Sequence, residues 1–136
     1  MSLMAPNLEL SVRVMNAVRS WIQMEKMVGW RAFRNIDTVD VLSSRASKAN
    51  VVSWISSRFG LDADSQILRI GDNGREDGND FELLAEGSAV SVDNTSIDPT
   101  HAWNFAPPRM IGLEASLWYL SLLTRTDGGA WRMHVE

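Results

Sequence analysis

The first part of the chain has the spacing of an amphipathic helix. From Leu8 onwards, apolar residues recur three or four positions apart, at Val12, Met15, Val18 and Ile22. Asn7 is a favourable N-cap residue, and Gly29 follows the end of the pattern. The sequence therefore predicts a helix that begins at Leu8 and buries this apolar face.

Three short β-rich runs alternate with helical segments in the middle of the chain. The runs are TVDVL at 38–42, QILRI at 66–70 and SAVSV at 88–92. Between them, Ser47 is placed to cap a helix that Gly60 ends, and a second helix is predicted at 80–86. This alternation is typical of parallel βαβ units. We therefore expect an α/β fold, with a parallel sheet and helices on both faces.

The last third of the chain contains a long loop, a helix and a final strand. The loop covers 93–111, and the strand is predicted at 130–135. The helix is predicted at 113–123, with a buried face formed by Leu113, Leu117 and Leu120. Ligands bind at the carboxyl ends of parallel strands, so Asp72 and Asp93, which follow the second and third β-rich runs, are expected on one rim.

Composition limits the class of protein. The chain has 136 residues, the size of one domain, and it contains no cysteine, which excludes disulfides and thiolate metal sites. This suits a cytoplasmic protein, which is our expectation. No apolar run is long enough to span a membrane. Met1 to Leu3 resemble an expression-vector remnant and are set aside when the fold is predicted.

Charge is distributed unevenly along the chain. Residues 1–60 hold eight basic and four acidic side chains, whereas residues 61–136 hold five and thirteen. An acidic second half argues against nucleic acid as a partner, because phosphate backbones require a basic surface. Concentrated carboxylates suit a hard divalent cation.

The acidic side chains concentrate in one segment. Six carboxylates fall between Asp72 and Glu86, and Arg75 is the single basic residue among them. Acids packed this closely repel one another unless they are solvated or share a cation. Two interpretations therefore stay open at this point, a magnesium site and a solvated acidic loop.

The segment at 70–84 reads IGDNGREDGNDFELL and precedes the run SAVSV. It resembles the fourth motif of the haloacid-dehalogenase-like (HAD) superfamily, in which a strand ends in Gly-Asp and a second Asp follows. Upstream, SKANVV at 47–52 resembles the third motif, in which a Lys opens the preceding helix. The resemblance covers about residues 38–124 and implies a partial HAD-like, Rossmann-like core.

The resemblance implies roles for individual residues. Asp72 is expected to bind Mg²⁺, Asp80 to be the second acid of the metal and catalytic site, and Lys48 to hold the phosphoryl oxygens by its charge. Asp93 and Asn94 are expected to line the substrate site, and an Asx turn is the alternative.

The spacing of the two acids departs from the family pattern. The usual separation is three or four residues, whereas seven residues lie between Asp72 and Asp80. Asp77 stands at the shorter spacing, but the run NDFELL at 79–84 matches the family's following helix better. Asp80 is therefore preferred, and Asp77 is kept as its rival for the metal site.

The family's nucleophile is the first Asp of an Asp-x-Asp motif near the N-terminus, and no such motif precedes Lys48. Asp62-Ala63-Asp64 has the spacing but reads as a turn between a helix and a strand. We therefore expect the N-terminal half of the core to be absent. Residues 1–45 are then the tail of a cap domain, and residues 46–136 are the C-terminal half of the core.

The expected parent protein is a Mg²⁺-dependent phosphatase that acts on a small phosphorylated metabolite, with a sugar phosphate as a candidate. The isolated chain is expected to be inactive, because the nucleophile is absent. An incomplete core exposes apolar surface, so we also expect a homo-oligomer or pairing with the missing half. The alternative is a non-catalytic α/β module whose acidic loop binds a cation or a partner.

Overall fold

Four helices and seven strands form the part of the chain that the computed structural model describes, residues 1–4, 7–35, 37–43, 45–101 and 103–134. The helices are α1 (Leu8–Met24), α2 (Lys48–Phe59), α3 (Phe81–Leu84) and α4 (Gly112–Ser121). The strands are β1 (Ser2–Met4), β2 (Arg31–Arg34), β3 (Thr38–Leu42), β4 (Arg69–Asn73), β5 (Ala89–Asn94), β6 (Leu123–Arg125) and β7 (Trp131–Met133).

The first three strands form an antiparallel sheet in the order β1–β3–β2. The alternating sequence of β3 buries Val39 and Val41. These two valines belong to one apolar cluster with Met15 and Ile22 of α1. The predicted first helix is thus confirmed, together with its buried face at these two positions and its cap, where Asn7 accepts a hydrogen bond from the Leu10 amide at 2.8 Å.

Two expectations about this sheet are wrong. The run at 38–42 does form a strand, but it pairs antiparallel with β2 and does not join the parallel sheet. A short link joins β2 to β3, and short links allow antiparallel pairing, whereas parallel pairing needs a long crossover. Met1 to Leu3 also belong to the fold, because β1 pairs with β3 and places Leu3 opposite Val39.

The parallel sheet consists of β4 and β5 within the described residues. Both strands begin and end later than the predicted runs QILRI and SAVSV. Each strand extends into the polar residues that follow its run. The register places Asn73 opposite Asn94, so the carboxyl ends of the two strands lie side by side. The predicted α/β class with a parallel sheet is confirmed.

Helix α2 begins at Lys48 and ends at Phe59, as its caps predict. The Ser47 hydroxyl oxygen accepts a hydrogen bond from the Ala49 amide at 3.1 Å, and Gly60 ends the helix in the left-handed conformation with φ 66°. The buried face of α2 is narrow. Val52 is buried, whereas Phe59 is 64% exposed.

Helix α4 packs on β5 through Ala115 and Tyr119, which are fully buried. The predicted apolar face is therefore wrong, because the exposed positions are Leu113, Leu117 and Leu120. The orientation is fixed by the Tyr119 hydroxyl. It accepts hydrogen bonds from the amides of Phe105 at 2.6 Å and Ala106 at 3.1 Å, and it donates to Asn104 Oδ1 at 2.9 Å.

The chain continues into a hairpin in which β6 and β7 pair antiparallel. The last predicted strand is therefore confirmed at Trp131–Met133, whereas its predicted end at Val135 lies outside the described residues. No helix in the described ranges combines the length and apolar character that a membrane crossing requires.

Two separate apolar clusters contain most of the buried apolar residues in the described part of the chain. The first consists of Met15, Ile22, Ala32, Val39 and Val41, and the second of Val90, Val92, Ala115 and Tyr119. They lie on opposite sides of the boundary expected at residue 45. The assignment of residues 1–45 to a cap domain stays a prediction.

The stabilising role of the Tyr119 hydroxyl can be tested by substitution. We expect Tyr119→Phe to lower the free energy of unfolding by about 1–3 kcal/mol, because it leaves two loop amides without their acceptor. Urea unfolding followed by circular dichroism measures this change. Leu113→Ala on the exposed side of the same helix is the control, with an expected effect within about 0.5 kcal/mol. Equal effects of the two substitutions would contradict the role assigned to the hydroxyl.

Candidate functional site

Three elements meet at Asp80, the residue that precedes α3. Helix α2 begins with Lys48, and β4 ends with Asp72 and Asn73. The Lys48 ammonium forms a salt bridge with Asp80 Oδ1. Asp80 is 3% exposed, whereas the Lys48 side chain is 46% exposed. The buried carboxylate is thus neutralised by a cation that solvent still reaches.

The second oxygen of Asp80 is held by the end of β4. Asp80 Oδ2 accepts hydrogen bonds from the backbone amides of Asp72 at 2.8 Å and Asn73 at 3.3 Å. Gly71 makes this approach possible, because a Cβ atom there would lie 2.8 Å from Asp80 Oδ2. The Gly-Asp pair at the strand end and the later Asp are therefore parts of one packed arrangement.

Asp72 and Asp80 influence each other's ionisation. The contact with the Asp80 carboxyl group, then burial and repulsion by the Asp80 charge, raise the pKa of Asp72. Burial alone would raise the pKa of Asp80. Hydrogen bonds from Asp72 and Lys48 outweigh that effect, and the pKa of Asp80 is lowered. Asp80 therefore stays ionised, while Asp72 keeps its proton to a higher pH than a free Asp side chain.

The carboxylates of Asp72 and Asp80 suit Mg²⁺ and would form part of its ligand set. This ion takes one or two protein carboxylates and keeps several waters, and a cation relieves the repulsion between two carboxylates in contact. Both Asp80 oxygens already accept from protein donors, so Asp72 is the better ligand. In the described ranges, no group of three or more His, Asp or Glu side chains could hold a metal ion. The metal roles of Asp72, Asp77 and Asp80 stay predictions.

Asp77 has different partners. Its Oδ2 accepts a hydrogen bond from Arg34 Nε at 2.9 Å, and its Oδ1 lies 4.0 Å from Arg75 Nε. Asp80 instead contacts Lys48 and the end of β4. This geometry favours Asp80 over Asp77 as the second acid of the motif.

Asp93 and Asn94 end β5 on the same rim as Asp72. The Asn94 carbonyl oxygen accepts hydrogen bonds from the Gly74 amide at 3.0 Å and the Ser91 hydroxyl at 2.6 Å. The Asp93 side chain is exposed. The expected proximity of the two strand ends is confirmed, whereas contact with a substrate stays a prediction.

Two residues of the site were not predicted from the sequence. Arg34 is buried and reaches the loop between β4 and α3, and Asn73 is buried beside Asp72. Asn73 stands next to a motif residue and could have been suspected for that reason. Arg34 lies in a four-residue strand outside every motif, so no local pattern connects it with the acidic loop.

The chain was compared with protein-family models, with curated proteins and with solved structures. The family model for sucrose-6F-phosphate phosphohydrolase matches residues 7–104, which is more than half of the chain. The matched range includes Lys48, Asp72 and Asp80. A search of curated proteins found no match, and neither did a search of solved structures.

A double-mutant cycle tests the central ion pair. We expect Lys48→Met and Asp80→Asn to be coupled by about 1 kcal/mol in the free energy of unfolding, because residues in contact couple by roughly 0.5–3 kcal/mol and solvent screens the half-exposed lysine. Denaturant unfolding of the four proteins in the cycle provides the value. The matched control replaces Lys48→Met with Lys26→Met, and we expect additivity within about 0.5 kcal/mol. Additivity in both cycles would mean that the ion pair does not stabilise the fold.

Proposed function

Because the chain belongs to the sucrose-6F-phosphate phosphohydrolase family, within the HAD superfamily, we propose that it is part of a Mg²⁺-dependent phosphatase that acts on a sugar phosphate. The observation that carries the proposal is the meeting of Lys48, Asp72 and Asp80 on one rim of the parallel sheet. A cation, an exposed acid and a buried, ionised acid at this place suit phosphoryl transfer, which depends mainly on positioning and electrostatic stabilisation.

Each of the three side chains has a separate task in this proposal. The solvent-accessible ammonium of Lys48 binds the transferred phosphoryl oxygens and stabilises their negative charge. The Asp80 carboxylate holds that ammonium in place and fixes the end of β4 through the two amides. Asp72 would hold Mg²⁺, which supplies Lewis-acid polarisation of the phosphoryl group when bound.

The nucleophile is proposed to come from a segment outside this sequence. Asp62-Ala63-Asp64 has the spacing of the nucleophile motif, but it lies before β4, at the end of the strand opposite to Asp72. Its acids are also engaged in the turn. Asp62 Oδ1 accepts from the Ser65 amide at 2.8 Å, and Asp64 pairs with Arg69 at 3.4 Å. An Asp-x-Asp strand beside β4 would bring a carboxylate to the correct rim.

The same strand would cover surface that the described residues leave open. Only β5 pairs with β4 in the described part of the chain. On α2, large apolar side chains are 56–64% exposed, namely Val51, Trp54 and Phe59. We therefore propose that the chain pairs with the missing half of the core or, in its absence, with a second copy of itself. The lack of cysteine suits the cytoplasm as the compartment.

The catalytic proposal predicts a specific loss of activity. We expect no phosphate release from sucrose 6F-phosphate by residues 1–136 alone, and Mg²⁺-dependent release by a longer protein that includes the Asp-x-Asp segment. In that protein, Lys48→Met should lower kcat by about 10²–10³-fold, because it removes a charge that stabilises the transition state. Phosphate release with and without a chelator is the measurement.

Lys26→Met is the matched control, because Lys26 is exposed and is the other lysine of the chain. It should leave kcat within about twofold. Turnover by the isolated chain would contradict the proposed origin of the nucleophile. Full activity of Lys48→Met in the longer protein would contradict the role of Lys48.

The proposed pairing is tested separately. We expect the isolated chain to form dimers or larger species, because the open edge of β4 and the exposed side chains of α2 favour association. Light scattering over a range of concentrations measures the mass. Trp54→Glu should shift the population toward monomer, whereas Leu113→Glu on the exposed side of α4 should not. A monodisperse monomer at high concentration would refute the prediction.

A further inference from the structure

Arg34 ends β2 and joins the antiparallel sheet to the loop between β4 and α3. Its Nε donates to Asp77 Oδ2 at 2.9 Å, and its amide donates to the Asp77 carbonyl oxygen at 2.7 Å. Its carbonyl oxygen accepts from Asn73 Nδ2 at 2.8 Å. The Arg34 side chain is 8% exposed. One residue thus forms two hydrogen bonds to the loop and one to the end of β4, about forty positions later in the sequence.

Asn73 connects Arg34 to Asp80. The side-chain amide of Asn73 is bound to the Arg34 carbonyl oxygen. Its backbone amide donates to Asp80 Oδ2 at 3.3 Å, and its carbonyl oxygen accepts from the Asp80 amide at 3.2 Å. A displacement of Arg34 would therefore be transmitted to Asp80 through a single intermediate residue.

Gly78 packs tightly against Asn73. A Cβ atom on Gly78 would lie 2.2 Å from the Asn73 carbonyl oxygen and 2.5 Å from its Oδ1. Gly78 also forms a parallel β-bridge with Arg34. Gly78, Asn73 and Arg34 therefore pack as one unit, and packed units shift between discrete arrangements more readily than they deform.

The positive charge of Arg34 also balances one of the carboxylates of the loop. Seven residues separate Asp72 from Asp80, and Glu76 and Asp77 add two carboxylates to this loop. Asp77 is neutralised by Arg34, and Glu76 accepts from the Ser96 hydroxyl at 2.5 Å and the Ile97 amide at 2.9 Å. Both added acids thus have partners other than the Asp72–Asp80 pair.

We propose that Arg34 is a positioning residue that holds Asp80 over the amides of Asp72 and Asn73 by fixing the loop at 74–79. These contacts hold the loop whether or not the protein is catalytic, whereas their use in phosphoryl transfer rests on the proposed function. The antiparallel sheet therefore contributes to the geometry of the site, although Lys48, Asp72 and Asp80 all lie later in the chain.

Hydrogen exchange of the folded chain, followed by nuclear magnetic resonance, tests this proposal. We expect Arg34→Met to reduce protection of the Asp72 and Asn73 amides by about tenfold or more, because a hydrogen bond to a charged group is lost and the loop loosens. The amides of the β4–β5 ladder, such as Val90, should keep their protection. Arg34→Lys should restore part of the protection, since it restores the positive charge.

The control is Arg13→Met on the exposed side of α1, which should change neither set of amides. Asp77→Ala removes the partner of Arg34 at a more exposed position and should give the same local loss; it carries the test if Arg34→Met prevents folding. Wild-type protection of the Asp72 and Asn73 amides in a folded Arg34→Met protein, or in Asp77→Ala, would overturn the proposal. Local loss of protection in the Arg34→Met chain, together with no Mg²⁺-dependent phosphate release by the longer protein that includes the Asp-x-Asp segment, would support the positioning role and count against the proposed function alone.

Discussion

The Asp80 carboxylate is the group on which the geometry of the site depends. It binds the first residue of α2 through Oδ1 and the last residues of β4 through Oδ2, and it stands itself at the start of α3. A buried carboxylate is unfavourable unless its charge is paired and its oxygens accept hydrogen bonds. The Lys48 ammonium and two backbone amides meet this requirement. The need to satisfy one buried charge therefore brings three elements together.

The same requirement explains how the chain tolerates its acidic loop. Asp80 is paired with Lys48, Asp77 with Arg34, and Glu76 with donors of the loop that follows β5. Asp72 differs, because its closest charged neighbour is another carboxylate, which raises its pKa. Unfavourable interactions of this kind concentrate at functional sites. Asp72 is therefore the acid of this segment that we propose as the cation ligand.

The two apolar clusters stabilise separate parts of the chain, and polar contacts connect them. Arg34 and Arg31, both on β2, reach Asp77 and Glu82 on the other side. On that side, Ser47 holds Glu82, since the Ser47 hydroxyl caps α2 and donates to Glu82 at 2.8 Å. Hydrogen bonds and ion pairs are directional, so these polar contacts orient the two parts of the chain relative to each other. These contacts join the antiparallel sheet to the elements that carry the site.

The sequence by itself determined the local features, because caps, turns and strand runs depend on neighbouring residues. Ser47 and Gly60 fixed both ends of α2, and the order of strands fixed the shared rim of Asp72 and Asp93. The tertiary structure decided which partner each strand and each helix face selected. The pairing of β3 with β1, the packing of Tyr119 on β5 in place of the α4 leucines, and the contact of Arg34 with Asp77 all join positions far apart in the sequence. Such contacts depend on which strands, apolar faces and polar groups meet in the folded chain. The pattern of neighbouring residues does not specify them.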